Sequence, residues 1–186
     1  MLPRSIALVV VAVLLVTSRA AAVTVEGVEF PSRRLVEGRE LSLQGAALLR
    51  YKVFLKAYVA ALYTEPEDRG EPPVGAARRL EIEYFWSIPA DGFADATREG
   101  IARNVDEASY AHLEPRIDAL NAMYRDVSPG DRYALTYVPD EGTELALNGR
   151  PLGMIAGADF ARAIFDIWLG PNPLDDNLKR ELLGAS

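Results

Sequence analysis

The chain has 186 residues, 49% hydrophobic and 25% charged, which fits one globular domain with a core of its own and excludes a fibrous or disordered protein. Its 27 acidic against 20 basic residues leave a formal net charge of -7 with no basic run, so it offers little to a phosphate backbone, and nucleic acid is not an expected partner. It has no Cys, which excludes disulfides, Cys-based metal sites and thiol nucleophiles.

Residues 1–22 read as a signal peptide. Arg4 gives a short positive region, Ile6–Val16 an apolar run, and Ala20-Ala21-Ala22 a small-residue cleavage site. The apolar run is shorter than the ~20 residues of a spanning helix, and Arg19 closes it. The competing reading is an uncleaved N-terminal anchor. With the leader removed, the domain covers 23–186, has no transmembrane segment and is expected across the inner membrane.

Val23–Phe30 alternates apolar with polar residues, a short first strand stopped by Pro31. Glu37-Gly38-Arg39-Glu40 reads as a turn into Leu41–Gln44, a second short strand bent at Gly45. The central stretch is Leu43–Tyr63, which alternates with period two from Lys52 onward and reads as a long strand opened by Arg50. Val53, Leu55, Ala57, Val59, Ala61 and Tyr63 form one apolar face. Lys52, Phe54, Lys56, Tyr58, Ala60 and Leu62 form the other, polar first and then apolar. A strand apolar on both faces is covered on both sides, or on one side plus a ligand.

Thr64–Ala76, rich in Pro, Gly and charge, reads as an exposed loop within the domain. Arg79–Ile88 is the next strand, with Leu80, Ile82, Tyr84 and Trp86 opposite Glu81, Glu83 and Phe85. Pro89-Ala90-Asp91-Gly92 supplies an acidic N-cap for a helix from Phe93 to Asn104, with a thin stripe of Phe93, Ala96, Gly100 and Ile101. A second helix spans Leu113–Tyr124, with Pro115 in its first turn. After the turn Ser128–Asp131 comes the strand Tyr133–Val138. Asn148-Gly149 then joins Thr143–Leu147 to Pro151–Ile155 as a hairpin, and Pro151 points to an edge strand or a slightly longer loop. Phe160, Ile164, Ile167 and Trp168 mark an amphipathic helix. Gly170–Pro173 breaks it, and Asp175 caps a terminal helix anchored by Leu178, Leu182 and Leu183.

Few residues offer catalytic chemistry. His112 is the only histidine, has no G-x-S-x-G beside it and no second ligand at metal spacing, and reads as a helix-end residue. No GxGxxG or P-loop is present, Asp175-Asp176 reads as capping, and neither cofactor nor metal is expected. Tyr84 and Trp86 can line a cleft, although strand aromatics usually fill a core, as Phe165 and Trp168 do on a helix. Arg50 with Tyr58 suits an amphiphile with an acidic end and an apolar body. On one straight strand, however, the two would stand about 26 Å apart. Either the chain folds back near Arg50, or the two do not act together.

The run G-A-A-L-L-R-Y-K-V-F-L-K-A-Y-V-A-A-L-Y (45–63) resembles the glycine–arginine strand segment of the bacterial branch of the chalcone isomerase-like family. The run F-A-R-A-I-F-D-I-W-L-G-P-N-P-L-D-D-N-L-K-R-E-L-L-G (160–184) resembles the same branch. The likeness implies an α+β fold, a curved antiparallel sheet backed by a layer of helices in an open-faced sandwich, with a ligand cleft between the layers. The family holds cyclising plant enzymes, fatty-acid binders and members of no known activity, so it does not settle catalysis. It implies Arg50 as the functional arginine, with Arg39 second in similar context, and Tyr58 as the polar strand partner found in fatty-acid binders, with Lys56 nearby. Where the plant enzymes carry a catalytic Tyr and Lys, this chain matches with Phe93 and Ala96, so cyclisation is not expected. The resulting expectation is a periplasmic protein that binds a fatty acid or similar amphiphilic carboxylate. The alternatives are an intramolecular lyase or isomerase using Arg50, and a scaffold without ligand; the oligomeric state is left open.

Overall fold

The computed structural model describes residues 21–51 and 55–185, so the expected leader lies, up to residue 20, outside the described residues. The strands begin with β1 (Ala22–Val25), β2 (Val28–Pro31), β3 (Arg33–Val36), β4 (Arg39–Tyr51), β5 (Leu55–Thr64) and β6 (Arg78–Tyr84). Helices α1 (Ala90–Ala102) and α2 (Glu107–Asn121) follow, then β7 (Arg132–Val138), β8 (Gly142–Leu147), β9 (Arg150–Ile155), α3 (Ala158–Leu169) and α4 (Asp176–Leu182). Strands β3 to β9 pair in sequence order as one curled antiparallel sheet, and β1–β2 forms a separate hairpin. The expected boundary at residue 22 falls inside β1, where Ala22 pairs with Pro31.

The stretch Leu43–Tyr63 is two strands rather than one. β4 and β5 run antiparallel, with Leu43 opposite Tyr63 and Arg50 opposite Lys56, so the chain does fold back just beyond Arg50. Residues 52–54, read as part of the strand, lie outside the described residues. The pairing slips twice, at Gln44 and at Ala57, each an extra residue in one strand. Such a bulge shifts the in–out alternation of everything beyond it. From Tyr58 to Tyr63 the expected alternation holds, and both faces are covered. Tyr58, Ala60 and Leu62 pack under the helices, while Val59, Ala61 and Tyr63 pack with Val28 and Phe30 of the β1–β2 hairpin.

On the hairpin side the sheet also buries a carboxylate. Glu81 accepts hydrogen bonds from Arg34 (2.7 Å), Arg79 (2.8 Å) and Arg132 (3.1 Å). Burial pushes its carboxyl pKa up, but the hydrogen bonds from Arg34 and Arg79 outweigh that and hold it below the usual range. Arg132 in turn lies 4.7 Å from the centre of the Phe30 ring, so the hairpin closes over the charge cluster.

Helix boundaries differ from expectation for identifiable reasons. α1 starts three residues early, at Ala90, and its N-cap Pro89 has no capping side chain. The acceptor instead comes from afar, Asp126 Oδ1 taking the Ala90 N–H at 2.9 Å, which no local pattern announces. α2 starts at Glu107 because Asp106 caps it through the Ser109 N–H. Pro115 therefore sits two turns into the helix rather than in its first turn, and His112 is a mid-helix residue on the solvent side. The Asn148-Gly149 turn has both residues at positive φ and joins β8 to β9, the edge strand, with no longer loop.

Gly45 is where α4 docks. A Cβ there would fall on the carbonyl oxygen of Glu181 and within 2.7 Å of that of Leu182, both backbone atoms with no rotamer to escape into. Gly45→Ala is expected to destabilise the fold by about 1–3 kcal/mol in urea unfolding, as overpacking does. An unchanged midpoint would show that α4 does not lie on β4 in this way.

Candidate functional site

Between the helical layer and the inner face of the sheet lies a cavity of about 360 Å³. Its floor is Leu80 and Ile82 of β6, Leu135 of β7 and Leu145 of β8; α1 supplies Gly92, Phe93, Ala96 and Thr97, and α3 supplies Ile167 and Trp168. The space exists because small residues stand where large ones would fill it. Gly92 and Ala96 lie one turn apart on α1, and the bulge at Ala57 places a methyl group beside Tyr58. An empty apolar cavity costs stability, so one that persists in a well-packed fold is suited to an occupant.

One wall is a cluster of aromatic rings. Tyr84 meets Tyr58 at 5.7 Å, Phe93 at 5.2 Å and Tyr133 at 6.2 Å between ring centres, all edge to face. The hydroxyls are not equivalent. Tyr133 donates to the Arg125 carbonyl and accepts from its N–H, and Tyr124 shares a 2.8 Å hydrogen bond with Thr97. Tyr58 accepts the indole N–H of Trp168 at 2.9 Å, leaving its own proton without an acceptor among the described residues. Tyr84, only 5% exposed, makes no side-chain hydrogen bond among the described residues. Burial pushes the phenol pKa up in each case: to about 12 for Tyr124, against the pull of Thr97, and well above the ordinary value for Tyr84. The cavity phenols are therefore neutral donors in ordinary buffers.

Among the lining residues only Glu99 and Arg103 are charged. Both are exposed and stand at the rim with Ala96 and Leu174. Arg103 is the C-cap of α1, and its Nε reaches the Glu99 carbonyl at 3.4 Å.

The four residues expected to hold a ligand are distributed differently. Tyr58 is buried and lines the cavity. Arg50 is its near neighbour in sequence register but not in the site. Arg50 follows Leu49, the cross-strand partner of Tyr58, and so points to the hairpin side of the sheet, and the extra residue at Ala57 turns Lys56 to the same side. There Lys56 Nζ (2.5 Å) and Arg50 Nη2 (3.4 Å) both bind Glu26, which stands in the β1–β2 turn. The expected placement of Arg50 at the cavity entrance is thus corrected: its side chain is 48% exposed and its carboxylate is the protein's own. Arg39 likewise pairs with Glu65 (2.9 Å), away from the cavity. Tyr84, read as able to line a cleft though more usually core, lines the cavity, as does Trp168, read as core, and Arg103 was not singled out at all. The signal for it was present, since Gly92, Ala96, Glu99 and Arg103 repeat at i, i+4, i+7 and i+11, one helical face whose small residues open the cavity.

The family model described as chalcone isomerase-like matches residues 22–184. The chain belongs to the chalcone isomerase-like family. Its fold is also that of a crystal structure of a fatty-acid binding protein from Arabidopsis thaliana, with a TM-score of 0.71 and 14% identity over 88% of this chain and 96% of that one. No curated protein matches it by sequence. As a family member it presents the helix–sheet cleft without a metal cluster and without a helix long and apolar enough to cross a membrane, among the described residues.

The unequal hydroxyls make a paired prediction. Tyr58→Phe leaves the Trp168 N–H without its acceptor and should cost about 1–2 kcal/mol in urea unfolding. Tyr84→Phe removes a hydroxyl with nothing to lose and should be neutral or stabilising. Equal costs for the two would refute the hydrogen-bond assignment.

Proposed function

We propose that this chalcone isomerase-like protein binds a single-chain amphiphilic carboxylate of the fatty-acid class and does not convert it. The observation that carries the reading is an apolar cavity that opens at a single arginine, Arg103. The chain of the ligand lies over Leu80, Ile82, Leu135 and Leu145, and the carboxylate stays at the rim, where the guanidinium meets it in water. Taking the charge inward would strand it, since the interior offers phenol donors but no cation, and an unpaired buried charge is costly. The shared fold of a plant fatty-acid binding protein supports the same class of ligand.

Catalysis of a lyase or isomerase type would need a charged group at the reacting atoms. The lining provides neutral phenols inside and its charges only at the rim, which supports binding over turnover. The apolar run and cleavage site within residues 1–22 support an exported, periplasmic protein.

The reading is tested by displacement of a fluorescent fatty-acid probe with dodecanoate and with dodecanol. The wild type should bind dodecanoate. Ala96→Trp, a substitution at the exposed rim that blocks the opening, should abolish binding of both. Arg103→Gln should weaken dodecanoate about tenfold, as loss of a charge-assisted hydrogen bond does, and leave dodecanol unchanged. Binding that survives Ala96→Trp, or no displacement by either compound, would overturn it. Consumption of a chalcone in the absorbance assay would replace it with the enzyme.

A further inference from the structure

The cavity carries more polar chemistry than a plain hydrocarbon chain can use. Of the four phenols along its wall, Tyr124 is paired with Thr97 and Tyr133 with the Arg125 backbone. Tyr58 and Tyr84 keep hydroxyl protons that meet no acceptor among the described residues. The two are cross-strand partners on β5 and β6 with ring centres 5.7 Å apart, so both rise from one level of the sheet into the same space. They are 8% and 5% exposed, yet the Tyr84 oxygen does not belong to the polar atoms buried without a partner. The little surface that Tyr84 keeps therefore includes its hydroxyl, and the void it lines is the cavity. Burial first, and then the neighbouring Tyr58, hold this phenol well above its ordinary pKa, so it stays a donor.

Two donors in an apolar space are costly when nothing accepts from them, and an acceptor carried in by the ligand removes that cost. The kind of acceptor follows from what the wall lacks. A carbonyl oxygen has two lone pairs and no proton, so it takes both phenols at once. A ligand hydroxyl would bring a third proton in need of an acceptor, and a carboxylate would bury a charge against neutral donors alone. The place of the acceptor along the chain follows from α1. Tyr84 meets Phe93, in the first turn of that helix, at 5.2 Å, whereas Arg103 caps its other end. Phe93 and Arg103 are ten residues apart in the sequence, about 15 Å along the axis. The free phenols therefore stand far from the guanidinium at the rim.

We propose that Tyr84, with Tyr58 beside it, receives a neutral carbonyl in the distal part of the ligand's chain, so that the preferred ligand is an oxo-fatty acid rather than an unsubstituted one. This rests on the fatty-acid reading of the same cavity: Arg103 meets the carboxylate, and the two phenols decide which chain is preferred. A site built to hydrogen-bond a ligand oxygen discriminates against an analogue without it, because its own donors are then left empty.

The test measures the affinities of dodecanoate, 10-oxododecanoate and 4-oxododecanoate by probe displacement, on the wild type and on Tyr84→Phe, and takes the ratio of each oxo acid to dodecanoate. On the wild type, 10-oxododecanoate should bind at least as tightly as dodecanoate and more tightly than the 4-oxo isomer. In Tyr84→Phe the 10-oxo ratio should fall about tenfold, the effect of one hydrogen bond lost from a buried carbonyl, and the 4-oxo ratio should hold. A merely structural role for Tyr84 moves all three ligands alike. Should Tyr84→Phe fail to fold, a ¹³C label at the ketone of 10-oxododecanoate decides on the wild type: its bound resonance should lie downfield of that in hexane, where the oxygen has no donor. A 10-oxo ratio that Tyr84→Phe leaves unchanged, a 10-oxo acid bound more weakly than dodecanoate or than its isomer, or a bound carbonyl at its hexane position overturns the proposal. Water is then the partner of the two phenols. If dodecanoate itself does not bind, the fatty-acid reading falls and takes this one with it; if it binds and the ratio does not respond, only the carbonyl site falls.

Discussion

One extra residue in β5 decides what each polar side chain of this sheet can do. Without the bulge at Ala57, strict alternation would put Lys56 on the same face as Tyr58, turned toward the helices and away from Arg50. With it, Tyr58 looks into the cavity and the two cations look away, toward Glu26. The same bulge sets a small side chain beside Tyr58 where a larger one would close the space. A local irregularity in backbone pairing thus separates a neutral, phenol-lined interior from a charged exterior, and the site follows from that separation.

The interior is organised by geometry more than by charge. Edge-to-face contacts hold the Tyr84 ring among Tyr58, Phe93 and Tyr133 at the cavity wall. Trp168 is held in turn by Tyr58, which couples the amphipathic helix α3 to the sheet at the cavity wall. High phenol pKa values follow from the same burial. They leave these groups as hydrogen-bond donors and exclude them as bases in ordinary buffers.

Much of the architecture was legible in the residues. The period-two runs, the Asn148-Gly149 turn, the helical spacing Phe160–Trp168 and the Asp175 cap all predict elements that are present. What was not legible depended on contacts distant in sequence. The reversal after Tyr51 lies within an alternating pattern that runs on through it, and no Gly or Pro stands in the sequence there to mark it. The start of α1 depends on Asp126, far along the chain. The bulge leaves no residue-type signature, since Ala57 is an ordinary strand residue. Arg50, which the family resemblance implied for the site, lies on the hairpin side beside Glu26, while Arg103 went unnoticed because its helix shows its inner face only by what is small.

The β1–β2 hairpin gives the outer face of the sheet its cover, with Val28 and Phe30 seated on Val59, Ala61 and Tyr63 and with Glu26 bound by two cations of the β4–β5 arm. The two strands are four residues each and belong to a separate small sheet, so their attachment relies on that apolar contact, those ion pairs and Arg132, which lies over Phe30 and donates to the Glu29 carbonyl. A chain shortened into this hairpin would bare a greasy patch on the back of an otherwise intact domain, the kind of surface through which copies of one protein stick together. The N-terminal hairpin thus keeps that apolar face of the sheet out of water.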